Sequence, residues 1–188
     1  MHGKIEELDL PFKEGEVDII ISEWMGYFLL YESMLDCVLW ARDKFLNKET
    51  GKMLPDRAKM YVSAIEDSDY MSDKVSFWND VYGVDMSCMS HGLFKDPIVD
   101  MVPSTNIMSD SCKILDLDLV RMKKSDVEFS NFYSLNMMYN DNVHAFVFWF
   151  DTDFSDLDNP QTLTTSPHKD LTHWKQSVLY LDRPLHVK

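Results

Sequence analysis

At 188 residues, with 45% hydrophobic and 13% aromatic content, the chain is long enough to bury one large core or two small ones, which excludes disorder as its main state. Its 32 Asp and Glu against 18 Lys and Arg give a formal net charge of −14. That balance excludes a basic, phosphate-gripping face and with it direct nucleic-acid binding; it favours basic partners, which an acidic surface attracts. In chain order, the first regular element is Val17-Asp18-Ile19-Ile20-Ile21, a β-branched run that reads as a strand buried on both faces, as in a parallel sheet. A loop follows, SEWMGYFLLYE, residues 22–32. Beyond it Leu35, Val38, Leu39, Arg42, Phe45 and Leu46 recur at helical spacing, with Arg42 breaking the apolar face, and predict a helix of about four turns ending before Asn47 and Gly51. Strand, loop and helix make half of a βαβ unit, and in such sheets ligands sit beyond the carboxyl ends of the strands, where this loop lies.

After Pro55 the pattern changes. The stretch AKMYVSAIED alternates like a strand, and Ser72 or Asp73 can cap a short helix carrying Val75, Trp78 and Val81 and ending near Gly83. Residues 85–106 are Met-rich and loop-like. Strands are then expected at Lys113–Met122, Phe132–Met138, His144–Asp153 and Ser177–Leu181, and their period-2 alternation predicts an antiparallel barrel or sandwich. Between Asp126 and Asp158 there are seven acids and no Lys or Arg, which reads as a solvated acidic face.

Cys37, Cys88 and Cys112 are widely spaced, odd in number and form no CxxC. They predict neither a zinc site nor a disulfide framework, and they suit a reducing compartment. No apolar run approaches the ~20 residues of a membrane helix. The opening MHGKIEELDLPF is interrupted by acids and does not read as a signal peptide. None of the six glycines forms a phosphate or dinucleotide loop of the GxGxxG or GxxxxGK kind.

The loop SEWMGYFLLYE sets Glu23 and Glu32 among Trp24, Met25, Tyr27, Phe28 and Tyr31, and its residues admit three readings. The acids can be structural, with Glu32 favouring the start of the helix. They can be a glycosidase pair, which needs two carboxylates at a set separation. Or they can clamp a cation, a guanidinium above all, since its planar donors match carboxylates bidentately and its face stacks on aromatics.

The segment SEWMGYFLLYESML resembles the double-glutamate loop of the protein arginine methyltransferases, closely the type I, asymmetric-dimethylating branch. Thr172-His173-Trp174 in LTHWKQ resembles that family's THW loop, and ARDKFL, LPDRAKMYVSAIED and VYGVDMSC resemble further segments in family order. The resemblance spans nearly the whole chain. It implies an α+β fold: residues 1–56 as the C-terminal portion of a Rossmann-like, S-adenosylmethionine-dependent methyltransferase domain, and 57–188 as a β-barrel with a dimerisation arm at about 78–106. Glu23 and Glu32 take the role of guanidinium-binding catalytic acids. Ile5 and Glu6 would meet the donor's adenine, and Met25 and Met34 would line its methyl-donor pocket. Tyr27, Tyr31, His173 and Trp174 would wall the substrate pocket, and Pro55 would follow a cis peptide bond.

The implied activity is methyl transfer from S-adenosyl-L-methionine to arginine in histone tails and Arg/Gly-rich proteins, giving mono- and asymmetric dimethylarginine and S-adenosyl-L-homocysteine. No metal and no membrane are implied, a homodimer through the arm is, and the location would be cytoplasm and nucleus. The family's N-terminal helices, glycine-rich donor loop and last barrel segments find no match here. The chain therefore resembles an internal fragment, expected to bind donor weakly or not at all and to be inactive alone. The alternative is a non-catalytic barrel-and-arm module, or a pseudoenzyme, that binds basic peptides.

Overall fold

The computed structural model describes residues 2–188; Met1, first residue of the opening stretch and of the expected 1–56 unit, lies outside them. After a 3-10 turn at Ile5–Glu7, strand β1 (Ile19–Ile21) leads through the glutamate loop into helix α1 (Leu35–Phe45), and β2 (Lys52–Leu54) returns parallel to β1, with Ile20 opposite Met53. The half unit expected from the sequence is thus a complete βαβ unit. The short β2, enclosed between Gly51 and Pro55, shows no alternation of its own; its pairing is decided by β1. The Leu54–Pro55 peptide bond is cis.

Burial of β1 differs from expectation: Ile19 and Ile21 are exposed, Ile21 at 77%. With β2 as its one neighbour, the strand's two faces are not covered among the described residues. Helix α1 has 11 residues, nearer three turns than four, and buries Leu35, Val38, Leu39, Ala41, Arg42 and Phe45 on one side. It stops where Leu46 turns extended and the Asn47 side chain accepts the backbone N–H groups of Glu49 and Thr50. The break at Arg42 has a tertiary cause. Its guanidinium, 7% exposed, donates to the carbonyls of Leu119 (2.7 Å) and Met122 (2.8 Å), stitching α1 to the second half of the chain.

That half is an antiparallel sheet. Its strands are β3 (Arg57–Ile65), β4 (Ile98–Asp100), β5 (Cys112–Asp118), β6 (Asn142–Phe154), β7 (Gln161–Thr164) and β8 (Gln176–His186). They run in the order β4-β8-β6-β3-β5, with β7 continuing alongside β6 beyond β8. The hydrogen-bonded path ends at β4 and β5 among the described residues, so the antiparallel sheet expected as a barrel is present without closure by strand pairing. Alternate β3 residues, Ala58, Met60 and Val62, face a core that also holds Leu115, Leu117, Phe150 and Trp174. Trp24, Leu29, Leu35 and Leu39 belong to that same cluster, so loop, helix and sheet share one apolar interior.

Three sequence expectations change in detail. The strand expected at Phe132–Met138 does not form beyond a single bridge between Ser109 and Met137. Side chains occupy the backbone there: Asn136 pairs with Asp110 through N–H (2.8 Å) and amide (2.6 Å), Asn131 reaches the Ile114 carbonyl, and Tyr139 donates to the Ile107 carbonyl. The strand expected at Lys113–Met122 ends at Asp118, because Leu119–Met122 form the turn whose carbonyls Arg42 takes. The helix expected from Ser72 begins earlier, as α2 (Ser68–Ser76), continues as a 3-10 turn at Phe77–Asn79, and buries none of its residues. The arm segment that follows carries exposed Tyr82, Val84 and Met89.

Candidate functional site

The glutamate loop is a tight double-back. The Gly26 N–H donates to the Leu29 carbonyl (3.0 Å), that of Tyr31 to Tyr27 (3.2 Å) and that of Ser33 to Leu30 (3.1 Å). To turn this sharply, Phe28 (φ 51°) and Leu29 (φ 60°) both adopt left-handed backbone, as does Ser33 (φ 57°). For residues with a Cβ this costs of order 1–3 kcal/mol each and persists only where packing over-determines it. Packing does so here. Leu29 is completely buried, Trp24 is 2% exposed, and the Phe28 ring meets Phe148 of β6 at 5.0 Å.

Gly26 brings the loop's two limbs together. A Cβ placed there would lie 3.0 Å from Glu32 Cγ and 3.1 Å from the Glu32 backbone nitrogen. The limb ending in Glu32 thus lies against the limb beginning at Glu23. Both glutamates are exposed, and neither enters an ion pair among the described residues. The capping reading of Glu32 finds no support in the helix itself: the N-cap of α1 is Met34, and no side chain caps it. Two anchored, unpaired carboxylates on a preorganised loop are suited to hold an external cation.

The second motif closes on the first. The Trp174 indole N–H donates to the Met25 carbonyl at 2.7 Å, and its ring packs edge-on against Phe150 at 5.7 Å. His173 is exposed and lies over Trp174, ring centroids 3.8 Å apart. Residues 149 positions apart are so joined by one buried hydrogen bond. Lys175, just after, is left-handed (φ 51°), which turns the chain from this loop into β8.

The remaining expected residues separate into neighbouring places. Tyr27 and Tyr31 line a cavity of about 720 Å³, walled on its far side by Val99 and Leu179. Met34 lines another, of about 390 Å³, with Trp24 and Leu35, beneath the Asp36–Lys124 ion pair (2.6 Å). Met25 is buried, and what it presents to its partner loop is its carbonyl. Ile5 and Glu6 lie in the 3-10 turn beside the start of α1. There the Cys37 thiol, with Glu6's own backbone N–H, holds the Glu6 carboxyl below its ordinary value, and the same contact pushes the thiol up. Cys37 is two residues past Leu35 in α1, so Glu6 and Met34 are held within about a turn of one another.

Sequence reasoning had no signal for the left-handed backbone at Phe28 and Leu29, because neither is Gly or Asn. Arg42 was legible as a lone charge on an apolar helix face; Gly26 was missed, its one available signal being a glycine inside an aromatic loop. Among the described residues no group of three or more His, Cys, Asp or Glu is placed to hold a metal ion, and no helix is long and apolar enough to cross a membrane.

Residues 56–188 match the family model described as the arginine methyltransferase oligomerization subdomain. Over its whole length the chain is 50% identical to protein arginine N-methyltransferase 1 of Schizosaccharomyces pombe, covering 54% of that protein, and it is 47% identical to the Dictyostelium discoideum protein of the same name, covering 53%. It therefore spans about half the length of the curated relatives it matches. Among solved structures, a Trypanosoma brucei PRMT1 enzyme–prozyme heterotetrameric complex with AdoHcy superposes on the entire chain with a TM-score of 0.90 at 40% identity, with 58% of that chain covered. Protein arginine methyltransferase 10 of Arabidopsis thaliana does so with a TM-score of 0.78 at 30% identity, 61% covered.

Proposed function

Because this chain belongs to the arginine methyltransferase family, we propose that it is the substrate-holding half of a protein arginine N-methyltransferase, transferring methyl groups from S-adenosylmethionine to arginine in basic or Gly-rich protein segments such as histone tails. The observation that carries this reading is the loop fold-back at Gly26, which sets two exposed, unpaired carboxylates on adjoining limbs. Glu23 and Glu32 grip a guanidinium through its N–H groups. Their charge draws the cation's positive density toward the gripped nitrogens and leaves electron density on the nitrogen that reacts. The gain is orientation as well as electrostatics, which is why strain at Phe28 and Leu29 and the Trp174–Met25 bond matter: they hold the pair still. Tyr27 and Tyr31 offer rings for the guanidinium's neighbours to lie against.

The residues present fit the donor at its adenine and methyl ends. Glu6 offers an exposed carboxylate to an amino group, and Met34 exposes a thioether close by. When bound, the donor supplies an electrophilic methyl on a sulfonium. The other donor contacts are supplied by sequence outside these residues, the Rossmann-like unit ends near residue 56, and the 188-residue chain is inactive alone. Assembly is a homodimer through the exposed arm, in keeping with the oligomerization subdomain that the chain matches. The products are mono- and asymmetric dimethylarginine, and the location is cytoplasm and nucleus, a setting consistent with three free thiols.

The test is methyl transfer to an Arg/Gly-rich peptide by the full-length protein. Glu23→Gln and Glu32→Gln should each lower kcat about 10²–10³-fold while donor binding persists. A variant that keeps wild-type kcat overturns the clamp. Wild-type full-length protein that binds the peptide without transferring methyl favours the interaction-module reading instead.

A further inference from the structure

A second site lies on the opposite side of the sheet. On the outer face of β3 and β6, Tyr61 stands opposite Trp149, and Lys59 opposite Asp151. The two rings stack nearly parallel, 15° apart with centroids at 5.7 Å. Here the outer apolar cluster, which includes Val147, Ile65 and Val178, gives way to the charged ends of the strands. At that transition opens a cavity of about 490 Å³ lined by Tyr61, Trp149, Asp151, Thr164 and Lys169 among others.

Asp151 is the anomaly. Lys59 faces it in register but reaches past to Asp153, at 2.5 Å, and Thr162 also donates to Asp153, at 2.9 Å. Asp153 is doubly satisfied while Asp151 enters no ion pair among the described residues, and its Oδ1 is sealed from solvent without a hydrogen-bond donor. The sealed Oδ1 is a cost the fold carries; the other oxygen also accepts no hydrogen bond among the described residues, and it is the one an incoming donor can reach from the cavity. Its charge also weighs on the neighbouring Tyr61 hydroxyl, which burial first, and Asp151 second, push above its ordinary pKa.

We infer that this cavity is a guanidinium-binding site, taking an arginine side chain between the Tyr61–Trp149 pair and the Asp151 carboxylate. Trp149 is buried, 6% exposed, and backs the half-buried Tyr61 ring, so a planar cation can stack on Tyr61 and donate to the acid at once. An ammonium satisfies the acid but has no plane to stack, and a sugar stacks but leaves the charge unpaired. Lys169 at the mouth opposes any cation, so the site is tuned to weak, reversible contact. The site lies across the sheet from the glutamate loop and involves binding alone. A basic substrate segment with several arginines would meet it as a docking point separate from Glu23 and Glu32.

The test is an NMR titration of the full-length protein with Nα-acetyl-arginine amide. Nα-acetyl-lysine amide and methyl glucoside serve as the competing chemistries. Amide shifts at Trp149, Asp151 and Thr164 are expected with the arginine derivative, less with lysine and none with the glucoside. Asp151→Asn should weaken that binding about tenfold, and Lys169→Gln should tighten it. The double variant Glu23→Gln/Glu32→Gln should leave it unchanged, which separates this site from the first. Shifts confined to the glutamate loop overturn the inference, as does wild-type affinity in folded Asp151→Asn or a stronger response to the glucoside. If Asp151→Asn does not fold, Lys169→Gln decides: unchanged affinity overturns the assignment.

Discussion

Replacing Gly26 by Ala tests whether the close approach of the loop's two limbs sets the clamp. Gly26 has ordinary backbone angles, so alanine is not excluded by conformation; the cost is contact. The new Cβ would sit 3.0 Å from Glu32 Cγ, 3.1 Å from its backbone nitrogen and 3.3 Å from its Cβ. Comfortable carbon contacts lie at about 3.5–4.0 Å. Because one of the crowded atoms is backbone, relief requires the Glu32 limb to withdraw by a few tenths of an ångström. Overpacking of this kind costs about 1–3 kcal/mol. In a protein of this size that lowers Tm by roughly 2–10 °C. The functional effect should exceed the stability effect. A misplacement of about 1 Å costs about 100-fold in rate, so a shift of a few tenths should cost several-fold in kcat/KM even in fully folded protein. Gly51→Ala is the control. Its Cβ would meet the Asn47 carbonyl oxygen at 2.4 Å and Leu46 Cγ at 2.5 Å, away from the loop, so it should destabilise more and leave kcat/KM per folded molecule unchanged. The assay is steady-state methyl transfer by the full-length variants, with thermal unfolding alongside. If Gly26→Ala loses activity only in proportion to its unfolded fraction, or loses none, the fold-back does not set the geometry.

Two further outcomes follow from buried polar contacts. Trp174→Phe keeps the ring against Phe150 but strands the Met25 carbonyl; a loss of about 1–3 kcal/mol by denaturant unfolding is expected, and an unchanged midpoint would remove the clasp from the explanation. At the root of the arm, the Tyr180 hydroxyl donates to Asp67 at 2.5 Å, and Asn106 donates to the same carboxylate. Burial first, then Asp67, raise the Tyr180 pKa well above its ordinary value of 10.0. A raised folded-state pKa means that this contribution is fully present below pH 10 and is lost as pH climbs beyond it, because the unfolded chain ionises first. Wild type should therefore lose more stability in alkaline unfolding titrations than Tyr180→Phe, which keeps the contribution of Tyr61; parallel curves would exclude Tyr180 as a cause.

The residues of α1, β3 and β6 carry their own periodicity, and their positions were readable because burial on one face is a local pattern repeated along each element; β1 was readable as a β-branched run, though not in its burial. The segments SEWMGYFLLYE and THW were readable for another reason: the guanidinium clamp proposed for them needs particular side chains in a particular order. What those segments could not disclose is how they meet. Nothing local marks Phe28 and Leu29 as left-handed; their strain is tolerable only because Leu29 and Trp24 are buried in a core completed by Met60, Phe150 and Trp174 from far along the chain. The same holds for Phe132–Met138, whose alternation promised a strand. Asn136 and Asn131 found partners in Asp110 and Ile114, and backbone pairing is confined to a short contact with Met108–Asp110 around the Ser109–Met137 bridge. Arg42 stood out in the sequence as a flaw in an apolar face, and only the fold supplied the two carbonyls, more than seventy residues away, that make its burial favourable. The sequence by itself determined which side chains are available to the proposed clamp. The tertiary structure decided where they point, because each orientation rests on hydrogen bonds and packing between residues that no local pattern connects.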